Sequence, residues 1–443
     1  MNEIYVNKLI KMINSRTVFK IDGSNAEEYK KFNEVLSENF PLLHQKANKL
    51  IFGSGCIVYE LKGKNAKRNI MLMSHHDVVD KTDGWVTDPF NAVIKDGYLY
   101  GRGTIDTKTP LFGELQAIEE ILNEDTLLDN INLYIGSSNN EEVSGDGMVE
   151  AVKYFKKHNI HFDIVLDEGG AIMQGMIPGY SGKSAMVAVH EKSRHIYECV
   201  TTRKTKGHGG LVSDDDSPLE RMSEFINRVN HTKIYKNKFY PEVKATFSSH
   251  VPYMKYPMKM VFKHLDVFSP IVKKIMANMP AAKAMLNTSV IFTTFNAGDE
   301  NNPQIRAKDA RCHMFIRCIR EEDLEEGLLK IKEIAKKYDV EINLVERDYC
   351  RPTDFNSDEF RLIKKVLNKN FKDIVVAPFL LTAGTDARRF SDIADNIFRF
   401  APIDLNNEQF KSIHGDNECI KEENIEECVR FYKDYIIALN KEV

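Results

Sequence analysis

Between Cys56 and Gly170 short apolar runs alternate with helix-forming stretches, and most of the runs stop at a cluster of histidines or acids. Such repetition commits a chain to an open α/β sheet, in which polar side chains gather beyond the carboxyl ends of the strands. Cys56 to Leu61 and Asn69 to Ser74 read as strands, the second ending at His75. Asp96-Gly97 is a hairpin signal between Val93-Ile94 and Tyr98 to Tyr100, and the returning strand runs straight into Gly101-Arg102-Gly103. Pro110 sits in the first turn of a helix whose Leu111, Leu115, Ile118 and Leu122 share one face, with Asp106 just ahead of it. Ile131 to Ile135 leads to Glu141-Glu142, and Phe162 to Leu166 to Asp167-Glu168.

The pattern changes after Val187 to His190, which alternates like a strand. Ser217-Pro218-Leu219-Glu220 has the form of a capping box opening a helix with Leu219, Met222, Phe225, Ile226 and Val229. Residues 231–287, rich in Lys, Met, Phe and Pro, carry too many large apolar side chains to stay solvated and read as an irregular or helical insertion. Arg320 to Tyr338 is helical, with acids first and lysines last, and Val340 to Val345 alternates as a strand. A final amphipathic run carries Ile425, Val429, Tyr432, Ile436 and Leu439. With 443 residues, 42% of them hydrophobic, the chain has room for more than one core. We therefore expect an α/β domain formed by 1–189 and 351–443, interrupted by a smaller α+β domain at 190–350.

Charge narrows the function classes. A net charge of -4, with basic and acidic residues interleaved, gives no footprint for nucleic acid. Met1 to Phe19 lacks the unbroken apolar core of a signal peptide and no stretch reads as a membrane span, so the expectation is a cytoplasmic protein without a membrane partner. Seven dispersed cysteines without a CxxC pair read as reduced, buried thiols.

Five clusters carry the chemistry: Ser74-His75-His76-Asp77, Gly101 to Asp106, Asn140-Glu141-Glu142, Asp167 to Gly170 and Ile413-His414-Gly415. Each alone has a plainer explanation. Asp106 is placed to cap the following helix, paired acids suit a solvated loop, and His414 suits a loop. Together they form the imidazole and carboxylate donor set that a pair of Zn²⁺ ions requires. Asp77 is spaced to orient the imidazole of His75, His76 points elsewhere, and adjacent acids let one bind metal while the other serves as general base.

These residues resemble the two-zinc family of aminoacylases, Gly-X carboxypeptidases, dipeptidases and succinyl-diaminopimelate desuccinylases. The resemblance rests on His75 to Val79, Trp85 with Pro89-Phe90, Asp96 to Gly103 with Asp106 and Lys108, Asn140 to Glu142, and Gly384 to Arg388. Arg399 to Pro402 followed by His414-Gly415 and Glu418 is similar to the carboxypeptidase S-like branch. The resemblance implies a zinc-exopeptidase-type catalytic domain, a mixed sheet flanked by helices, with an inserted lid that also serves dimerisation. It implies that His75 and Glu168 hold one zinc, Glu142 and His414 the other, and that Asp106 bridges them, followed by a cis peptide to Thr107. Glu141 is then the general base and Asp77 the orienter. His208, in Gly207 to Gly210, resembles the oxyanion-stabilising histidine that reaches a neighbouring subunit in dimeric members. Arg317, Gly384 and Thr385 resemble the grip on the substrate carboxylate.

The chain departs from the family at Asn140, usually Asp, and at Ala383, usually Gly. Asn301-Asn302-Pro303 is one residue short of the usual Asn-x-x-Pro, which leaves open which asparagine faces substrate. Gly182-Lys183-Ser184 lacks the rest of a phosphate loop, and Gly179 to Lys183 has Lys where a nucleophile elbow needs Gly. The expected function is zinc-dependent cleavage of an amide bond in a small peptide or N-acyl amino acid with a free carboxylate. Carboxypeptidase, dipeptidase and aminoacylase stay open, with an inactive peptide-binding relative and a two-metal phosphoesterase as rivals.

Overall fold

The computed structural model describes residues 2–124, 126, 128–204, 217–302 and 304–441. They form two compact units: Met1–His190 with Glu242–His264 and Arg351–Val443, and Glu191–Pro241 with Leu265–Cys350.

The first unit is a mixed α/β structure around a ten-stranded sheet. Its order is Asn48–Phe52, Cys56–Leu61, Ile131–Ser137, Arg68–Met73, Phe162–Asp167, Ala394–Arg399, Lys183–Glu191, Ile172–Gln174, Asp404–Leu405, with Ile374–Leu381 also paired to Lys183–Glu191. Arg68–Met73 lies parallel to both Ile131–Ser137 and Phe162–Asp167, so three neighbouring strands end on the same edge. Because successive side chains point to opposite faces, Ile70 and Leu72 enter one core with Leu133 and Leu166, while Met71 and Met73 enter another with Tyr134 and Val165. Burial on both faces explains why these strands read as continuous apolar runs.

The larger core is closed by the helices Lys108–Asn123 and Glu422–Lys441, which present Leu111, Phe112, Leu115 and Ile118 and Ile425, Val429, Tyr432 and Ile436. The smaller is covered by Gly147–Lys157 through Met148, Ala151 and Phe155. A three-stranded antiparallel sheet joins Val93–Lys95, Tyr98–Tyr100 and Cys419–Lys421. Its hairpin turns at Asp96 and Gly97, both at positive φ (53° and 78°), as a tight Asp-Gly turn requires.

Residues 231–287 are largely helical and divide between the units. The helix Pro241–His250 is tied into the first by polar contacts: Glu242 Oε1 lies 3.1 Å from His190 Nδ1, Thr246 Oγ1 donates to the Pro378 carbonyl (2.6 Å), and Ser184 Oγ lies 2.8 Å from His250 Nε2.

The second unit is a four-stranded antiparallel sheet, ordered Ser289–Ala297, Asp309–Cys318, Ser193–Thr202, Glu341–Asp348. Helices Pro218–His231 and Glu321–Lys337 pack Met222, Phe225, Val229, Ile331 and Ala335 against it. Ser217 caps the first of them, accepting from Glu220 N at 3.3 Å with Pro218 in the first turn. All seven cysteines are free and buried, and no described helix is long and apolar enough to cross a membrane.

Candidate metal centre

The three parallel strands deliver the site. His75 follows Arg68–Met73, Glu141-Glu142 follow Ile131–Ser137, and Glu168 follows Phe162–Asp167. Asp106 arrives from the loop after Tyr98–Tyr100, and His414 from the loop after the helix Asn407–Ser412. The helix after Asp106 begins at Lys108 with Thr107 as its N-cap, so the Asp106 carboxylate is not spent on capping. The Asp106–Thr107 peptide is cis.

Asp106 stands between two imidazoles. Its Oδ1 lies 2.9 Å from His75 Nε2, and its Oδ2 lies 3.0 Å from His414 Nε2. Glu142 Oε2 is also 3.0 Å from His414 Nε2, and ligand atoms of His75, Asp106 and Glu142 all lie within 4.8 Å of one another. His75 Nδ1 is held by the main-chain carbonyl of Asp77 at 2.9 Å, with Asp77 Oδ1 farther away at 3.5 Å. The Asp77 carboxylate is engaged elsewhere, accepting from Glu141 N on Oδ1 and Glu142 N on Oδ2, each at 3.1 Å. It therefore orients both glutamates as well as facing the histidine. His76 turns away, stacks on Phe32 (centroids 4.9 Å apart) and places Nδ1 2.9 Å from Ser137 Oγ.

Burial of so many acids sets the electrostatics. Burial pushes the Glu141 carboxyl well above its usual range, opposed by nearby His75 and reinforced by Asp386. Glu168 is pushed well up by burial and by repulsion from Asp106 and Asp167. Burial alone would raise Asp106, but the contacts with His414 and His75 pull it below the usual carboxylate range. His414 is in turn pushed up to about 10 by Asp106 and Glu142.

The donor set fits cations. Each Asp106 oxygen is faced by a different imidazole, and Glu142 Oε1 is buried with no hydrogen-bond partner among the described residues. A buried, unpaired carboxylate oxygen beside imidazole nitrogens is costly unless it ligates an ion.

The remaining expected site residues are placed as follows. Gly384 is half-buried and Thr385 buried, at the start of the 3-10 turn Asp386–Phe390, with the Thr385 carbonyl accepting from Arg388 Nη1 (2.6 Å). Arg317 lies in the second unit on Asp309–Cys318, paired across the sheet with Arg194 and Ser289. Asn301 and Asn302 are exposed in a turn where Asn302 Nδ2 donates to Asp299 Oδ2 (3.0 Å). His208 lies outside the described residues.

Two further groups lie near the centre: Asp167, which the sequence offers as the alternative to Glu168 as ligand, and the pair Arg102 and Glu418, to which it assigns no role. Asp167, beside Glu168, accepts from Ala387 N (2.8 Å) and is pushed up to about 7 by burial and by Asp386, which itself accepts from Ser138 Oγ (2.6 Å). Arg102 and Glu418 form an ion pair at 2.9 Å with both side chains 1% exposed. In the sequence Arg102 lies in the cluster Gly101 to Asp106 and Glu418 beyond His414, with nothing local to show that they meet.

Residues 71–438 match the model of peptidase family M20/M25/M40. Among curated proteins, the chain is 27% identical over 430 residues to the N-fatty-acyl-amino acid synthase/hydrolase PM20D1 of Xenopus tropicalis, covering 94% of this chain and 81% of that one. It is 28% identical over 418 residues to the probable carboxypeptidase S-like 2 of Dictyostelium discoideum, covering 91% and 78%. Among solved structures, the M20 family metallo-carboxypeptidase Sso-CP2 of Sulfolobus solfataricus shares the fold, with a TM-score of 0.68 at 17% identity over 99% and 100% of the two chains. The family match spans most of the chain and includes His75, Asp106, Glu141, Glu142, Glu168 and His414, and the chain accordingly belongs to peptidase family M20/M25/M40, metal-dependent hydrolases of C–N bonds.

Proposed function

We propose that this chain is a di-zinc exopeptidase of carboxypeptidase or dipeptidase type, cleaving the amide bond of a small peptide that ends in a free carboxylate. The observation that carries the reading is the bridging posture of Asp106, one oxygen toward His75 and the other toward His414. In this reading His75 and Glu168 would hold one Zn²⁺ and Glu142 and His414 the other, with Asp106 serving both. Bound there, the pair would supply electrophilic pull on the scissile carbonyl and acidity to the attacking water.

The chain's own residues do the rest. Glu141, its carboxyl raised by burial, takes the water's proton and passes it to the leaving amine nitrogen. Asp77 holds the Glu141 and Glu142 amides and, through its carbonyl, the His75 ring, so base and ligands move as one body. From the resemblance, the proposal gives His208 oxyanion stabilisation in a homodimer built through the second unit as lid. It gives Arg317, Gly384 and Thr385 the substrate carboxylate; a cytoplasmic location is proposed from the sequence pattern and not from the resemblance.

N-acyl amino acid hydrolysis is the second reading, favoured by the name of the Xenopus relative and an alignment covering 94% of this chain and 81% of that one. One panel tests both. Purified enzyme should contain about two zinc ions per chain and hydrolyse dipeptides or N-acyl amino acids but not phosphate esters. Phosphate release without amide cleavage would overturn the assignment.

A further inference from the structure

Asp106 and His414 meet at 3.0 Å although they come from loops more than three hundred residues apart in sequence, so something must fix the distance between those loops. Four residues after His414, the buried carboxylate of Glu418 turns into the Asp106 loop. Its Oε2 accepts from Gly103 N (3.1 Å) and Arg102 Nη1 (2.9 Å), and its Oε1 from Ile105 N (2.7 Å) and Asp106 N (3.1 Å). Arg102 completes the crossing from the other side: its Nη2 donates to the carbonyl of Gly415, the residue next to His414, at 2.8 Å. The Trp85 ring covers the guanidinium, 5.2 Å from centroid to Cζ. His414 itself has φ 59°, a left-handed conformation that a non-glycine residue holds only when its surroundings impose it.

We propose that Arg102 and Glu418 are positioning residues that set the span between Asp106 and His414, and thereby the affinity of the metal position at His414. The inference rests on the two-metal reading above. A guanidinium suits the task because its rigid fork contacts a carboxylate and a carbonyl at once, which a single ammonium does not reproduce. Glu418 in turn fixes the main chain at Asp106 through three amide donors, so the bridging carboxylate and the imidazole beyond it are registered by one buried pair.

The test is titration of metal-stripped protein with Co²⁺ alone, followed by its visible absorption, alongside circular dichroism and a melting curve of the metal-free protein. Wild-type protein should take up two ions in two phases. Arg102→Met should leave the first phase unchanged and weaken the second by about tenfold or more, in line with the loss of groups that orient ligands, and Arg102→Lys should not restore it. Since Arg102→Met strands a buried carboxylate, the double variant Arg102→Met with Glu418→Gln, which removes both charges, serves if the single variant fails to fold. It should show the same selective loss.

Folded variants with both phases at wild-type affinity, or a lowered melting temperature with both phases weakened alike, overturn the inference and mark the pair as merely structural. A single phase in the wild-type protein instead fells the two-metal reading, and this inference with it.

Discussion

Asp77 serves the centre through different atoms: its carbonyl faces His75, and its two carboxylate oxygens take the amides of Glu141 and Glu142. Spacing predicts an aspartate two residues beyond a histidine, but not that the nearer acceptor is the main chain. Glu141 draws notice in the sequence for a different reason, because two adjacent acids at a strand end allow one to bind metal and the other to transfer a proton, the division proposed above. Glu141→Gln should lower kcat by about 100-fold or more while zinc uptake and the melting temperature stay at wild-type values, as expected when a general base is lost. Steady-state kinetics with metal analysis checks this, and full turnover in that variant would remove the base assignment. Arg102 and Glu418 escape a sequence reading because their importance lies in a contact across 316 positions.

Elements follow their patterns where local chemistry decides. The Asp-Gly hairpin, the Ser217-Pro218 helix start and the terminal amphipathic helix are all visible as turn, cap and periodicity. Residues 231–287 are not, because their helices are short, interrupted by prolines and shared between two cores. Helix contact adds a constraint that no single helix reveals. A Cβ on Gly113 would lie 2.6 Å from Cys428 Sγ and 3.0 Å from Tyr432 Cδ2, so the helices Lys108–Asn123 and Glu422–Lys441 meet over a glycine. Alanine is the better helix former by about 0.8–1 kcal/mol, but overpacking costs about 1–3 kcal/mol. Gly113→Ala should therefore lower the thermal midpoint, and an unchanged or raised midpoint would show that the terminal helix yields.

At the scale of the whole molecule, the proposed metal ligands all belong to the first unit, whereas the second has its own core around Met222, Phe225 and Ile331. A ligand that binds the native state alone stabilises it by about 4 kcal/mol at a thousand times its dissociation constant. Zinc should accordingly raise one calorimetric transition and leave another in place, and chelation should reverse the shift. A single transition moving as a whole would show that the units unfold together.

The ligand-bearing loops are anchored largely by peptide groups: Asp77 on two amides, Glu418 on three, and His75 on a carbonyl. Peptide groups are the same whatever side chains flank them. Point substitutions in the neighbouring side chains therefore leave these anchors standing, so the pocket beside the proposed ion seat can be reshaped without dismantling the seat.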